Sequence, residues 1–209
     1  ERRQWLTTNR FAYKFDESLR IQGKFNYSQS YDYVSDEQDA KFIDSGIGFA
    51  YRPWDNNQWA LFGRYNYFFD ESSSGQVGYG TDYDQKSHIF SMEGVYKHNA
   101  KWEYAVKTAD RKSETKFGAL GNIWFDSSAL FAATQVRYDL INKWHVLGEY
   151  RMLKVKDGGT KSGVLFGVDY DITQNFRIGV GYNFTDFSDD LTQQDYRYKG
   201  FYLNFVGYF

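Results

Sequence analysis

The stretch Phe176-Arg-Ile-Gly-Val-Gly-Tyr-Asn-Phe184 alternates a large apolar side chain with Arg, Gly or Asn at every step. Successive side chains of an extended strand point to opposite faces. Phe176, Ile178, Val180, Tyr182 and Phe184 therefore share one face, and Arg177, Gly179, Gly181 and Asn183 share the other. A helix would scatter the same residues around its axis. Working toward the start of the chain, the two-residue period keeps returning. Val164, Phe166, Val168 and Tyr170 oppose Gly163, Gly167 and Asp169. Trp144, Val146, Tyr150 and Met152 oppose Glu149 and Arg151, and Leu130, Val136, Tyr138 and Leu140 oppose Gln135, Arg137 and Asp139. Trp102, Tyr104 and Val106 oppose Glu103, Lys107 and Arg111. Phe90, Met92 and Tyr96 oppose Ser91 and Glu93, with Ile89 and Val95 breaking the pattern. Trp59, Leu61, Tyr65, Tyr67 and Phe69 oppose Ala60, Arg64 and Asn66, with Phe62 and Phe68 on the polar side. Ile43, Ile47, Phe49 and Tyr51 oppose Asp44, Gly46, Gly48 and Ala50. Leu19, Ile21, Phe25 and Tyr27 oppose Arg20, Gln22, Lys24 and Asn26, and Phe11, Tyr13 and Phe15 oppose Arg10, Ala12 and Lys14. Downstream, Phe201, Leu203, Phe205 and Phe209 oppose Gly200, Tyr202 and Asn204. Eleven strands are predicted from these segments.

The alternation explains an unusual composition. The 209 residues include 19 Phe, 19 Tyr and 6 Trp, yet the mean hydropathy is −0.68. Each apolar residue is followed by a polar one, so the average is low while one face is rich in rings. The length fits one domain. With 25 basic against 27 acidic residues there is no basic excess of the kind a nucleic-acid binder carries. The lack of cysteine excludes a disulfide scaffold, a thiolate metal site and a Cys nucleophile. Nothing in the sequence calls for a cofactor.

The apolar face suits lipid better than a core. A soluble sandwich with that face inward would bury many Tyr hydroxyls, whereas near lipid headgroups they stay wet. Trp59, Trp102 and Trp144 each open a strand just after a short connection, and Trp5 and Trp124 sit near the opposite end. Tyr65, Tyr104, Phe166, Phe176 and Tyr182 add to this lipid-facing and boundary set, as in the aromatic girdles of membrane barrels. Connections 16–18, 54–57, 98–100, 141–143 and 173–175 are short, and those at 32–40, 70–86, 112–127, 157–161 and 186–197 are predicted to be longer. Such asymmetry separates periplasmic turns from external loops and places the C-terminus on the periplasmic side. The fold expected is therefore all-β, a transmembrane antiparallel up-and-down barrel. Even strand numbers are the rule for single-chain bacterial barrels. About twelve strands are expected, one of them outside this sequence. Ten is the alternative, should the first segment only extend beyond the barrel. The opening Glu1-Arg-Arg-Gln-Trp5 has no apolar leader, so the expectation is a single barrel domain forming the C-terminal part of a longer protein.

These features resemble the outer-membrane β-barrels of Gram-negative bacteria. The resemblance extends over the whole chain in pattern and is sharpest at its end. There Gly200, Phe201, Leu203, Phe205 and Phe209 look like the terminal-strand signal read by the barrel-assembly machinery, with Gly207 departing from the usual apolar residue. The run from Gly179 to Leu191 and Lys199-Gly200-Phe201 is similar to the C-terminal barrel domain of large multidomain bacterial surface proteins. That resemblance implies a membrane anchor for an upstream surface or periplasmic region. The partners it implies are outer-membrane lipids, the assembly machinery during biogenesis, and an upstream domain or plug. A small channel for ions or solutes is the alternative, and a lipid-modifying enzyme a third reading.

Charges on the polar face form the candidate lumen lining. The cations are Arg10, Lys14, Arg20, Lys24, Arg64, Lys107, Arg111, Arg137, Arg151 and Arg177. The anions are Asp44, Glu93, Glu103, Asp139, Glu149 and Asp169. They suit either a weakly anion-selective pore or a salt-bridged filling. Inward Phe62, Phe68, Phe131 and Leu147 favour obstruction. The small residues Gly46, Gly48, Ala50, Gly163, Gly167, Gly179 and Gly181 leave an empty inner wall for a plug, a helix or a ligand, or simply allow curvature. Ser45 and His88 share the outward face, as an ester-cleaving site would need, but on non-adjacent strands and without a supporting carboxylate; no catalytic residue is assigned. The acidic stretches 36–39 and 186–190 lack EF-hand spacing, so no metal site is assigned either. Gly75, Gly78, Gly80 and Gly158-Gly159 precede no helix and make no phosphate loop.

Overall fold

The computed structural model describes residues 2–32, 38–72, 83–117, 123–141, 143–185, 187, 191 and 199–207. Eleven strands form one antiparallel sheet in sequence order: β1 (Arg2–Lys14), β2 (Leu19–Asp32), β3 (Gln38–Tyr51), β4 (Trp59–Ser72), β5 (Tyr83–Lys97), β6 (Trp102–Phe117), β7 (Trp124–Asp139), β8 (Trp144–Val155), β9 (Gly159–Asp171), β10 (Phe176–Asn183) and β11 (Gly200–Gly207). Each strand pairs with the next, and β1 and β11 are the two ends of the order. β1 pairs with β2 along its length, from Arg2↔Asp32 to Lys14↔Arg20. It is a full member of the sheet and reaches back past Trp5, so the ten-strand alternative does not hold.

Two expected connections are corrected. The segment 112–127 is mostly strand: β6 runs on to Phe117 and β7 begins at Trp124. Its polar stretch masked the period. Cross-strand polar pairs extend the ladder instead, including Ser87 Oγ to Ser113 Oγ at 2.8 Å and the Lys86–Glu114 ion pair at 2.5 Å. The connection at 157–161 is a tight turn, because Thr160 and Lys161 already pair with Lys154 and Leu153 of β8. Asp157 and Gly159 adopt φ of 61° and 81°, and the Gly158 N–H donates to the Val155 carbonyl at 3.1 Å. Connection lengths therefore do not alternate strictly.

By contacts the chain divides into two compact units. One comprises Glu1–Ala50, Gly63–Ser91 and Asp110–Ser128; the other comprises Tyr51–Phe62, Met92–Ala109 and Ala129–Phe209. In both, nearly all the exposed large apolar side chains lie on the apolar parity, although β1 is exposed on both faces. In the first unit Phe25, Ile47, Tyr65 and Phe90 are exposed, while Ser30, Asn66, Asp84, Ser87 and Ser113 are buried. In the second, Trp59, Trp102, Tyr104, Trp144, Phe166, Phe176, Val180, Phe201, Leu203 and Phe205 are exposed, while Arg151, Asp169, Asn183 and Thr185 are buried. This inverts a soluble protein, which buries its apolar side chains. Rings on the exposed face pack across strands. Trp59 stacks on Tyr96 with centroids 4.2 Å apart, Trp102 lies 4.4 Å from Tyr138, and Trp144 lies 4.8 Å from Tyr170. Each tryptophan opens a strand and meets a tyrosine near the close of the next, so the pairs repeat at one end of the sheet.

Candidate functional site

The buried polar face carries the chemistry, and its contents differ between the units. In the first unit Lys24 Nζ donates to Asp44 Oδ2 at 2.7 Å, and Asn26 Nδ2 reaches the same oxygen at 3.3 Å. Arg111 Nε donates to Ser113 Oγ at 2.8 Å. Arg10, Ala12, Gln22, Lys24, Arg64 and Asn66 line a cavity of about 500 Å³ floored by Gly46 and Gly48. Arg10, Lys14, Arg20 and Arg64 are exposed. Glu93, placed in the second unit with Tyr96, is half-buried.

In the second unit the same face is filled. Phe131 has 0% of its surface exposed, and Ala109, Ala133, Leu153, Leu165, Phe187 and Leu191 are buried with it. Lys107 Nζ lies 5.9 Å from the Phe131 ring centroid, a cation over an aromatic face. The carboxylate of Glu149 accepts from Gln135 Nε2 at 2.7 Å and pairs with Arg151. Phe62, on the same parity, is 42% exposed, whereas Phe131 is sealed. Phe68, in the first unit, packs edge-on against Phe42 at 5.4 Å. Leu147 is half-buried.

The glycines of β9 and β10 in this wall are covered by the chain's own side chains. A Cβ on Gly167 would lie 2.6 Å from the Tyr202 hydroxyl, and one on Gly181 would lie 2.4 Å from the Tyr202 ring. Tyr202 of β11 therefore lies across β10 and reaches β9. A Cβ on Gly163 would meet Thr185 Cγ2 at 2.6 Å, and one on Gly179 would run into the Asp169 carboxylate. At each of these places a neighbour occupies the volume that a Cβ would take, so a larger residue forces that neighbour to shift.

A second group escaped the sequence reading. His145 sits on the polar parity of β8, directly across from Asp139 of β7. Its Nδ1 bonds the Asp139 carboxylate; its Nε2 is 2.8 Å from Asp171 Oδ2 and 3.1 Å from Arg177 Nη2. Arg177 Nε donates to Asp171 Oδ1 at 2.6 Å. One ring nitrogen serves one partner at a time: neutral, Nε2 accepts from Arg177, and protonated, it donates to Asp171. The available signal was the short turn after Asp139, which pairs it with His145; the reach to Asp171 and Arg177 has no local signature.

On the exposed face, His88 Nδ1 shares a hydrogen bond with the Tyr65 hydroxyl at 2.7 Å. Ser45 lies on β3 and His88 on β5, with β4 between them. No group of three or more His, Asp or Glu that could hold a metal occurs among the described residues. Asp36, Glu37, Asp186, Asp189, Asp190, Gly75, Gly78, Gly80 and the terminal Phe209 lie outside the described residues. Gly200 opens β11 with φ of 150°, opposite Asn183, and Phe201 of the same strand packs edge-on against Tyr182 at 4.9 Å.

No protein-family model matches the chain, and no curated protein matches its sequence. Solved structures do resemble it. The copper transporter OprC aligns with 87% of this chain at 8% identity and a TM-score of 0.50, and the chain spans 36% of OprC's length. The trimer form of OmpT, an outer membrane protein of Vibrio cholerae, aligns with 100% of the chain at 14% identity and a TM-score of 0.48, with 98% of its own length covered. The translocator domain of the autotransporter NalP from Neisseria meningitidis aligns with 99% at 13% identity and a TM-score of 0.38, with 78% of its length covered. At such identities the likeness concerns the fold alone: an antiparallel up-and-down sheet of the outer-membrane β-barrel class.

Proposed function

We propose that this chain is an outer-membrane β-barrel domain whose main role is to anchor a surface or periplasmic region in the bacterial outer membrane. The single observation that carries the reading is the filled buried face of the second unit, where Phe131 is wholly buried and pairs across the ladder with Leu153, and Ala109, Ala133, Leu153 and Leu165 are buried as well. A conducting pore needs a continuous polar, hydrated path, and large apolar side chains with paired charges remove it. In the same reading the exposed rings contact outer-membrane lipids, and β11 is presented to the barrel-assembly machinery. The short turns and the C-terminus face the periplasm. Strand parity supports a further element. Among the described residues there are eleven antiparallel strands, so β1 and β11 run in the same direction, and antiparallel closure of these strands would take one more.

Planar-bilayer recording of the purified, refolded chain tests the proposal. The expected result is no steady conductance, or brief flickers only. Large, steady, ohmic steps would overturn the anchor reading in favour of a small channel for ions or solutes. That second reading has one observation of its own, the cavity of about 500 Å³ beside Arg10, Lys24 and Arg64 in the first unit.

A further inference from the structure

A separate cavity lies in the second unit, at the end of the sheet where the Trp–Tyr pairs sit. It has a volume of about 260 Å³ and is lined by Lys97, Lys101, Glu103, Arg137, Asp139 and Arg177, together with the β5–β6 turn. Four cations meet two carboxylates. Both carboxylates are already engaged. Glu103 is shared between Lys97 Nζ at 3.4 Å and Arg137 Nη1 at 3.8 Å, and Asp139 holds His145. Arg177 is tied to Asp171. Two cationic groups keep unused capacity. Arg137 Nη1 stands 3.8 Å from Glu103, beyond hydrogen-bond reach, while its Nε is buried without a partner, and Lys101 makes no ion pair among the described residues. A buried donor without an acceptor is costly, more so on a charged group.

We propose that this cavity binds a small oxyanion of phosphate-like chemistry. A tetrahedral oxyanion presents several acceptor oxygens. It can accept from the Arg137 guanidinium and from the Lys101 ammonium together, with Lys97 and Arg177 adding favourable charge. The size fits. The space, about 260 Å³, holds one oxyanion and several waters. The lining charges belong to the parity opposite the exposed rings, so the ligand is a dissolved anion and not a lipid headgroup. Lys101 and Asn99 come from the turn itself. Asn99 Oδ1 accepts from the backbone N–H groups of Lys101 and Trp102 at 2.8 and 3.0 Å, which fixes the turn beneath the cavity.

The test is isothermal titration of the refolded, detergent-solubilised full chain with inorganic phosphate in chloride buffer. The expected result is saturable binding of one phosphate. Lys101→Gln removes an exposed side chain whose backbone turn stays intact, and Arg137→Gln removes the orphan donor. Each is expected to weaken binding about tenfold, the loss typical of one charge-assisted hydrogen bond. Lys154→Gln, which removes an exposed cation of the same unit at the end of β8 opposite Trp144, is expected to leave binding unchanged. Heat-modified mobility on gels checks that each variant is folded, and Lys101→Gln keeps the test decisive if Arg137→Gln fails that check. Absence of saturable binding by the unsubstituted chain overturns the proposal. So does equal weakening by Lys154→Gln, since that would assign the effect to the diffuse field of the protein.

Discussion

Replacing Gly167 with alanine tests the packing of Tyr202 atom by atom. The new methyl would lie 2.6 Å from the Tyr202 hydroxyl oxygen, while its next neighbours, Tyr202 Cζ and the Val180 carbonyl oxygen, stand at 3.6 and 3.8 Å. Only the hydroxyl is too close. The tip of the ring is also held against Gly181, where a Cβ would be 2.4 Å from both Cζ and the hydroxyl. Overpacking of this kind costs about 1–3 kcal/mol. A movable side-chain tip places Gly167→Ala at the lower end, about 1 kcal/mol. Tyr202→Phe removes the one offending atom, so the same alanine in that background should cost less than about 0.5 kcal/mol, a coupling of the size seen between touching residues. Gly181→Ala is different. Its methyl would also meet the Phe166 carbonyl oxygen at 2.4 Å, a backbone atom locked in the β9–β10 ladder. It should cost about 2–3 kcal/mol with either residue at position 202. Urea titrations of the chain folded in lipid vesicles, followed by tryptophan fluorescence, give the four midpoints needed. A Gly167→Ala cost that Tyr202→Phe leaves unchanged would refute the socket geometry.

Other outcomes follow from the same faces. Val180, 50% exposed on the apolar face, should lose about 2–4 kcal/mol on Val180→Arg if it sits near the bilayer midplane, and vesicle-folding titrations with unaltered midpoints would count against the lipid-facing assignment. Arg151 and Glu149 form an ion pair with side chains only 10% and 11% exposed, so Arg151→Met strands a buried carboxylate and should cost about 3 kcal/mol or more. Lys24, 38% exposed, pairs with Asp44 in a wetter setting, and Lys24→Met should stay within about 1 kcal/mol; comparable losses for the two variants would contradict the burial difference. Trp144 and Tyr170 face each other in register, and a double-mutant cycle to alanine should return a coupling of about 0.5–1.5 kcal/mol; additive losses would mean the two rings act independently.

Much of this was legible before any coordinates. The run Phe176–Phe184 gave its two faces directly, and the exposed set follows them, from Phe176 to Val180. Strand ends were less legible where the period lapsed. The stretch 111–117 carries mostly polar residues, and its strand is held by pairs such as Ser87–Ser113 and Lys86–Glu114 that only the facing strand supplies. Phe62 and Phe131 share the polar parity, yet one is open and the other sealed, because enclosure depends on what other strands bring to the same level.

The sequence by itself determined the period, the strand number and which parity would be apolar. Alternation is a property of neighbours in the chain, and strand geometry turns it into two faces without further information. The tertiary structure alone decided which distant side chains share a space. Tyr202 covers Gly167 and Gly181 because β11 lies beside β10 at a fixed register and its ring spans to the next strand. His145 meets Asp171 and Arg177, and Arg137 is left with an unused donor, for the same reason. Register and stagger are set by the whole hydrogen-bonded ladder, and no local pattern encodes what they bring together across it.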